Sequence, residues 1–198
     1  MEKIAQGAEA KIFIKEDRII KHRFEKKYRI PEIGEPLRKF RTRREAKVIG
    51  KLPPEVKGPK LIEMDDTDMK IEMSYIDGPK VRDILEENID LAEEIGRKTA
   101  VLHNNNIIHG DLTTSNMIYF EKEIYFIDFG LSFFSHKIED MAVDIHLLRQ
   151  ALESKHHTIY KKAYELFLKG YKEKSKDYDN IIKRLKKVEK RGRYKKKC

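Results

Sequence analysis

The chain has no tryptophan and one cysteine, Cys198, which is its last residue. A disulfide framework and a cysteine-based zinc site are both excluded, because each needs several thiols. The histidines offer no substitute: His103, His109 and His156-His157 lack metal-ligand spacing with carboxylates. No apolar run reaches about 18 residues, so no membrane span is expected, and nothing near Met1 reads as a signal peptide. These absences point to a cytoplasmic protein. Charge, by contrast, is plentiful. Hydrophobic and charged residues each make up 39% of 198 residues, enough apolar content for a core beneath a heavily charged surface.

That charge is unevenly spread. Residues 183–198 hold ten Lys or Arg against one acid, Glu189, so this segment alone equals the formal +9 of the whole chain. Within the neutral remainder, residues 18–47 carry twelve basic residues against four acids. A solvated tail and a charged helix face would account for both regions. The functional alternative is contact with a polyanion, RNA above all. Lys183, Arg184, Lys186, Lys187, Lys190, Arg191 and Arg193 are the candidate RNA or partner contacts.

The most informative stretch is 107–130, where Asp111, Asn116 and Asp128 interrupt an apolar, β-branched background. Met117–Phe120 and Ile124–Ile127 read as two strands joined at Glu121-Lys-Glu123. Such a hairpin returns Asp128 to the neighbourhood of Asn116. One amide and two carboxylates then converge, suited to a hard divalent cation and a phosphate. The spacing resembles the kinase catalytic loop followed by Asp-Phe-Gly, here Asp128-Phe129-Gly130. Asp111 is then the candidate catalytic carboxylate, and Asn116 and Asp128 the candidate metal ligands.

Upstream, Ile4–Ile14 reads as strand, glycine turn, strand. Ala5, Gln6, Gly7, Ala8 and Glu9 would cover nucleotide phosphates, since a glycine lets backbone N–H groups approach closely; an ordinary hairpin is the alternative. A third strand, Arg18–Phe24, carries Lys21, which matches the phosphate-gripping lysine of a kinase. A helix over 35–52, with Pro36 in its first turn, presents Glu45 on an arc with Leu37, Phe40, Val48, Ile49 and Leu52. Arg38, Arg41 and Arg44 share that arc, so element order, not periodicity, selects Glu45 as the partner of Lys21. Two further strands lead to Asp77-Gly78-Pro79, and mostly helix follows. An α+β chain is expected, with an N-lobe (1–75) of antiparallel sheet plus one helix and a mainly helical C-lobe (76–198). Ser74 and Ile76 would offer backbone groups to adenine, and Met73 would line the pocket. Asp144, near the start of a helix over 139–153, is expected to support the catalytic loop by accepting its backbone hydrogen bonds.

The set Gly7, Lys21, Glu45, Asp111, Asn116 and Asp128 resembles the protein-kinase superfamily over nearly the whole chain. The loop reads His109-Gly-Asp111, and only thirteen residues separate Gly130 from Asp144. A protein-substrate platform is therefore almost absent, as in a minimal two-lobed kinase. Among such kinases the chain is similar to the small kinase/ATPase subunit family of the KEOPS complex, whose eukaryotic counterpart is PRPK. Gly7-Ala-Glu-Ala10, Lys21-His-Arg23, Lys27-Tyr-Arg29, Arg41-Thr-Arg-Arg-Glu-Ala46, His109–Asn116 and Arg191-Gly-Arg193 carry this resemblance. It implies ATP and Mg²⁺ as cofactors, threonylcarbamoyladenosine formation at tRNA position 37 as the process, and the catalytic tRNA-modifying subunit, other KEOPS subunits and tRNA as partners. A stand-alone RIO-like Ser/Thr kinase and a non-catalytic RNA-binding module are the alternatives.

Overall fold

The computed structural model describes residues 2–7, 10–25 and 30–194, with the side chains of 31 and 192–194 excepted. Ala8, Glu9, the Lys27–Arg29 motif and the Arg193 side chain therefore lie outside the described residues.

Five antiparallel strands come first: β1 (Glu2–Gln6), β2 (Lys11–Lys15), β3 (Arg18–His22), β4 (Leu61–Asp65) and β5 (Lys70–Ser74), in the order β1-β2-β3-β5-β4. The β1–β2 turn closes with Gly7 N–H donating to the Ala10 carbonyl at 2.9 Å. The β4–β5 turn is held by Asp65, whose carboxylate accepts from the N–H groups of Thr67 and Asp68 at 2.8 and 3.0 Å. In-register pairing sets Lys21 of β3 opposite Ile71 of β5, which places it at the centre of the sheet.

Between β3 and β4 runs α1 (Pro31–Ile49). It starts four residues earlier than expected, and Pro36 lies inside it rather than in its first turn. A proline at the first position loses nothing, since that N–H has no helical partner. Ile33 and Gly34 then both donate to the Ile30 carbonyl, at 3.1 and 2.9 Å, and close the first turn. Pro36 costs the helix one further hydrogen bond. Ala46, Val48 and Ile49 belong to the same buried apolar core as Ile71 and Met73 of the sheet. Phe40 does not join them. It is 57% exposed, with the Arg44 guanidinium 5.0 Å above its ring.

After β5 the chain is mainly helical: α2 (Val81–Ile84), α3 (Leu91–Asn104), α4 (Ile138–Lys155), α5 (Tyr160–Lys174) and α6 (Tyr178–Tyr194). Between α3 and α4 lie two short antiparallel strand pairs, β6 (Ile107–Ile108) with β9 (Phe133–Phe134), and the hairpin of β7 (Met117–Phe120) with β8 (Glu123–Phe126). The face of α4 expected from its spacing, Met141, Ile145, Leu148 and Leu152, is buried in full. Phe126, Phe129, Phe167 and Tyr171 fill the centre of this helical half. No described helix is long and apolar enough to cross a membrane.

The basic C-terminal segment is largely α6, an amphipathic helix docked on α4 through buried Ile181 and Leu185. Arg184 and Arg191 both pair with Glu139 of α4, and Arg149 of α4 pairs with Glu189. Lys183, Lys186, Lys187 and Lys190 stay exposed.

Candidate active site

Local backbone chemistry brings the polar residues together. β6 ends at Ile108, and the loop that follows is suspended from Asp144 on α4. That carboxylate accepts from the N–H of His109 at 2.8 Å and of Gly110 at 2.9 Å. His103 Nε2 lies 3.2 Å from the same carboxylate, and Tyr171 O–H pairs with His103 Nδ1 at 2.8 Å. Burial opposes the charge on Asp144, yet the His103 and backbone donors outweigh it and hold the carboxyl below its usual range.

His109 completes the brace. Its Nδ1 accepts from the Asp111 N–H at 3.3 Å, so the proton sits on Nε2, which donates to the Ile127 carbonyl at 3.2 Å. Burial keeps this imidazole below its ordinary pKa despite the surrounding carboxylates, in keeping with that neutral form. Its ring packs 5.0 Å from Phe129, joining the loop at Asp111 to the turn at Asp128.

A single turn of 3-10 helix, Thr114–Asn116, leads into β7. Asn116 Nδ2 donates to Asp111 twice, to its backbone carbonyl at 2.9 Å and to Oδ2 at 2.8 Å. Both amide protons are engaged, so the side-chain carbonyl oxygen is the atom left for a cation. The Asn116 backbone carbonyl accepts from Ile127 N–H at 2.9 Å, which closes the hairpin and sets Asp128 beside it. Asp128 adopts the left-handed conformation, φ 62°. Backbone strain of this kind in a non-glycine residue gathers where the surroundings over-determine a geometry.

From the opposite side, β3 and α1 supply Lys21 and Glu45, which are 7% and 1% exposed. Lys21 Nζ donates to Glu45 Oε1 at 2.8 Å and to Asp128 Oδ1 at 2.6 Å. Burial alone would lower the pKa of Lys21, but the two carboxylates more than compensate and raise it. Burial likewise works against the charge on Asp128, and the Lys21 ammonium overrides it and lowers the pKa. Arg23 is a site residue that the sequence reading does not single out. It is 3% exposed and donates to Glu45 Oε2, so one carboxylate serves two buried cations. Strand alternation is the available signal, because a residue two beyond Lys21 shares its face.

Two cavities flank Lys21. The larger, about 380 Å³, is lined on its apolar walls by Ala5, Met73, Ser74 and Ile76 and at its polar end by Lys21, Asn116 and Asp128. The Ser74 N–H is bonded to the Lys60 carbonyl and that of Tyr75 to Asp17, at 2.9 and 2.8 Å. Ile76 therefore has the nearest N–H without a backbone partner among the described residues. The smaller cavity, about 200 Å³, includes Gly7, Lys21, Asp111 and Asp128. Gln6 is exposed at the end of β1 and lines neither. No cluster of three or more His, Cys, Asp or Glu suited to a metal occurs among the described residues. A cation here would rest on Asn116 and Asp128 with phosphate and water oxygens, a donor set that Mg²⁺ accepts.

An apolar slot ending in an ammonium, an amide and carboxylates has the chemistry to hold a nucleotide and its phosphates. The RIO domain model matches residues 8–164. The KEOPS complex subunit Bud32 of Pyrococcus abyssi is 42% identical over 98% of this chain and 96% of its own length. A probable serine/threonine-protein kinase BUD32 homolog of Archaeoglobus fulgidus is 38% identical over 97% of this chain and 96% of its own. A probable bifunctional tRNA threonylcarbamoyladenosine biosynthesis protein of Methanocaldococcus jannaschii is 41% identical over 96% of this chain, which spans 36% of that longer protein. Among solved structures, the Rio2 kinase–ADP/Mg²⁺–phosphoaspartate complex of Chaetomium thermophilum superposes with a TM-score of 0.62 at 16% identity, covering 96% of this chain and 70% of that one. The fold is that of the protein kinases, and the chain belongs to the RIO domain family, among the Bud32 homologues.

Proposed function

We propose that this protein cleaves ATP between Lys21 and Asp111 as a subunit of a KEOPS assembly that makes threonylcarbamoyladenosine in tRNA. The observation that carries the reading is the Lys21 ammonium, 2.8 Å from Glu45 on the sheet side and 2.6 Å from Asp128 on the helical side. An ammonium held across a nucleotide-sized gap is the central requirement for gripping phosphates. The adenine base lies against Met73 and Ala5, with Ser74 and Ile76 at its edge. Lys21 holds the α- and β-phosphates while Glu45 fixes it in place. Asn116 and Asp128 hold Mg²⁺, which when bound neutralises phosphate charge. Asp111, oriented by Asn116 and by the suspended loop, takes the proton of the attacking hydroxyl. A bond then forms between that oxygen and the γ-phosphorus, and the bond to the leaving ADP oxygen breaks. Positioning and electrostatics supply most of the rate, which suits so short a list of residues.

Water is the favoured acceptor, or else a hydroxyl of the assembly itself. From Gly130 the chain makes one turn, pairs β9 with β6 and enters α4 at Ile138, so little surface remains on which to lay a peptide. The decisive experiment measures ATP turnover and phosphate transfer with and without the tRNA-modifying subunit and tRNA. Asp111→Ala is expected to lower turnover about 10²–10⁴-fold. Unchanged turnover in that variant removes Asp111 from the mechanism. Stoichiometric labelling of a separate Ser/Thr protein, independent of any partner, would instead favour a dedicated kinase.

A further inference from the structure

His156 is a buried titratable group with no place in the nucleotide cleft. It ends α4 and is 1% exposed. The backbone fixes it on both sides: its N–H donates to the Leu152 carbonyl at 2.8 Å, and its carbonyl accepts from the Ile159 N–H at 3.0 Å. Its Nε2 lies 3.0 Å from the hydroxyl oxygen of Thr114, a residue that is likewise 1% exposed. Its Nδ1 is buried with no hydrogen-bond partner among the described residues. Such a nitrogen carries a desolvation cost that an aliphatic side chain would not. Packing alone therefore does not call for an imidazole here.

What the imidazole holds is the 3-10 turn that delivers Asn116. Thr114–Asn116 is three residues long, and a turn so short has little stability of its own. Its far end is pinned by the Asn116 carbonyl, which accepts from Ile127 N–H, and its near end by the Thr114 hydroxyl on His156. Without the second anchor the turn is free to pivot about the first. A pivot at Thr114 displaces the Asn116 amide, and with it the oxygen left for a cation and both Nδ2 bonds to Asp111. α4 thus grips the catalytic loop twice, with Asp144 before Asp111 and His156 after it, about three helical turns apart. Neither Thr114 nor His156 lines either cavity.

We propose that His156 is a positioning residue, which acts through Thr114 to hold the Asn116 amide in the orientation that serves the metal on one side and Asp111 on the other. The proposal rests on the nucleotide-cleaving reading and adds to it a determinant of metal affinity at the end of a distant helix.

Full-length Thr114→Val, His156→Leu and the double variant, compared with wild type, test this. Removing both partners leaves an apolar pair, so the double variant is expected to melt close to the wild-type temperature. Its turnover at saturating ATP should nonetheless fall about 10–100-fold, the usual cost of losing a group that orients a metal ligand. Calorimetry separates this from a general loosening. ADP affinity without metal is expected to stay unchanged, while the gain in affinity on adding Mg²⁺ shrinks about tenfold or more. Thr114→Ser, which keeps the hydroxyl, should recover most of the turnover lost in Thr114→Val. Should variants at His156 fail to fold, the near-isosteric Thr114→Val carries the comparison. Wild-type turnover and Mg²⁺ dependence in folded Thr114→Val overturns the proposal. An equal loss of ADP affinity with and without metal overturns it too, since that marks a plain packing defect. Wild-type protein that binds no ADP defeats the nucleotide-cleaving reading instead, and the positioning role falls with it.

Discussion

Glu45 has two buried cations to neutralise, with Lys21 on one carboxylate oxygen and Arg23 on the other. Glu45→Ala would leave both charges in a site where Glu45 itself is 1% exposed, and a loss of about 3–5 kcal/mol in urea unfolding is expected. A loss below about 1 kcal/mol would mean that the cations find other partners. Lys21 and Glu45 are legible in the sequence because strand and helix order single them out. Arg23 enters the sequence reading only within the Lys21-His-Arg23 motif, and its pairing with Glu45 is seen only in the fold. His109 is legible only as part of a motif, and its role in bracing the loop depends on groups far apart in sequence. Because its folded pKa is depressed from 6.5, its contribution to stability is present in full above pH 6.5 and is lost as pH falls through the lowered folded value. His109→Gln should remove about 1.4 kcal/mol per pH unit from the slope of stability over that window. Parallel urea-stability profiles for the two proteins below pH 6.5 would contradict a neutral, buried His109.

The elements are legible to the extent that burial follows periodicity. Met141, Ile145, Leu148 and Leu152 sit on one face of α4 as their spacing requires. The start of α1 is ambiguous in sequence because Pro31 and Pro36 each suit a helix beginning, and only the Ile30 carbonyl, accepting from Ile33 and Gly34, decides between them. Phe40 belongs to the apolar arc by spacing, but α1 is so rich in arginine that its ring lies beneath Arg44 in solvent instead. The packing of α3 on α5 cannot be read from sequence at all. Gly96 of α3 stands against the Phe167 carbonyl, and Gly170 of α5 against the Glu93 carbonyl, so a Cβ on either would overlap backbone of the other helix. Alanine normally favours a helix over glycine by about 1 kcal/mol. Here the helices must separate to admit it, so Gly170→Ala should destabilise by about 1–3 kcal/mol, lowering the urea midpoint. A stabilised variant would mean that propensity outweighs the close approach.

At the scale of the molecule, charge and architecture interact in a way composition does not reveal. The C-terminal basic run reads as a tail, yet Ile181 and Leu185 bury one face of α6 on α4, and Arg184 and Arg191 are tied to Glu139. Deleting this segment would therefore strip a helix from the fold, and any change in RNA affinity would be uninterpretable. The informative change is narrower. Lys183, Lys186, Lys187 and Lys190 are exposed on α6, so replacing all four with Gln alters charge while leaving the docked face and the Glu139 pairs in place. If these lysines meet tRNA phosphates, every lysine–phosphate pair that disappears takes about one counterion out of the salt dependence, and the slope of log affinity against log salt should become shallower by up to about 3–4. Wild-type and substituted protein are compared by tRNA titration at several salt concentrations. Equal slopes would exclude the exposed face of α6 as an RNA contact and leave the basic run as a solvated surface. A shallower slope with ATP turnover retained would separate the two activities: phosphate chemistry between the lobes, RNA affinity on the far helix.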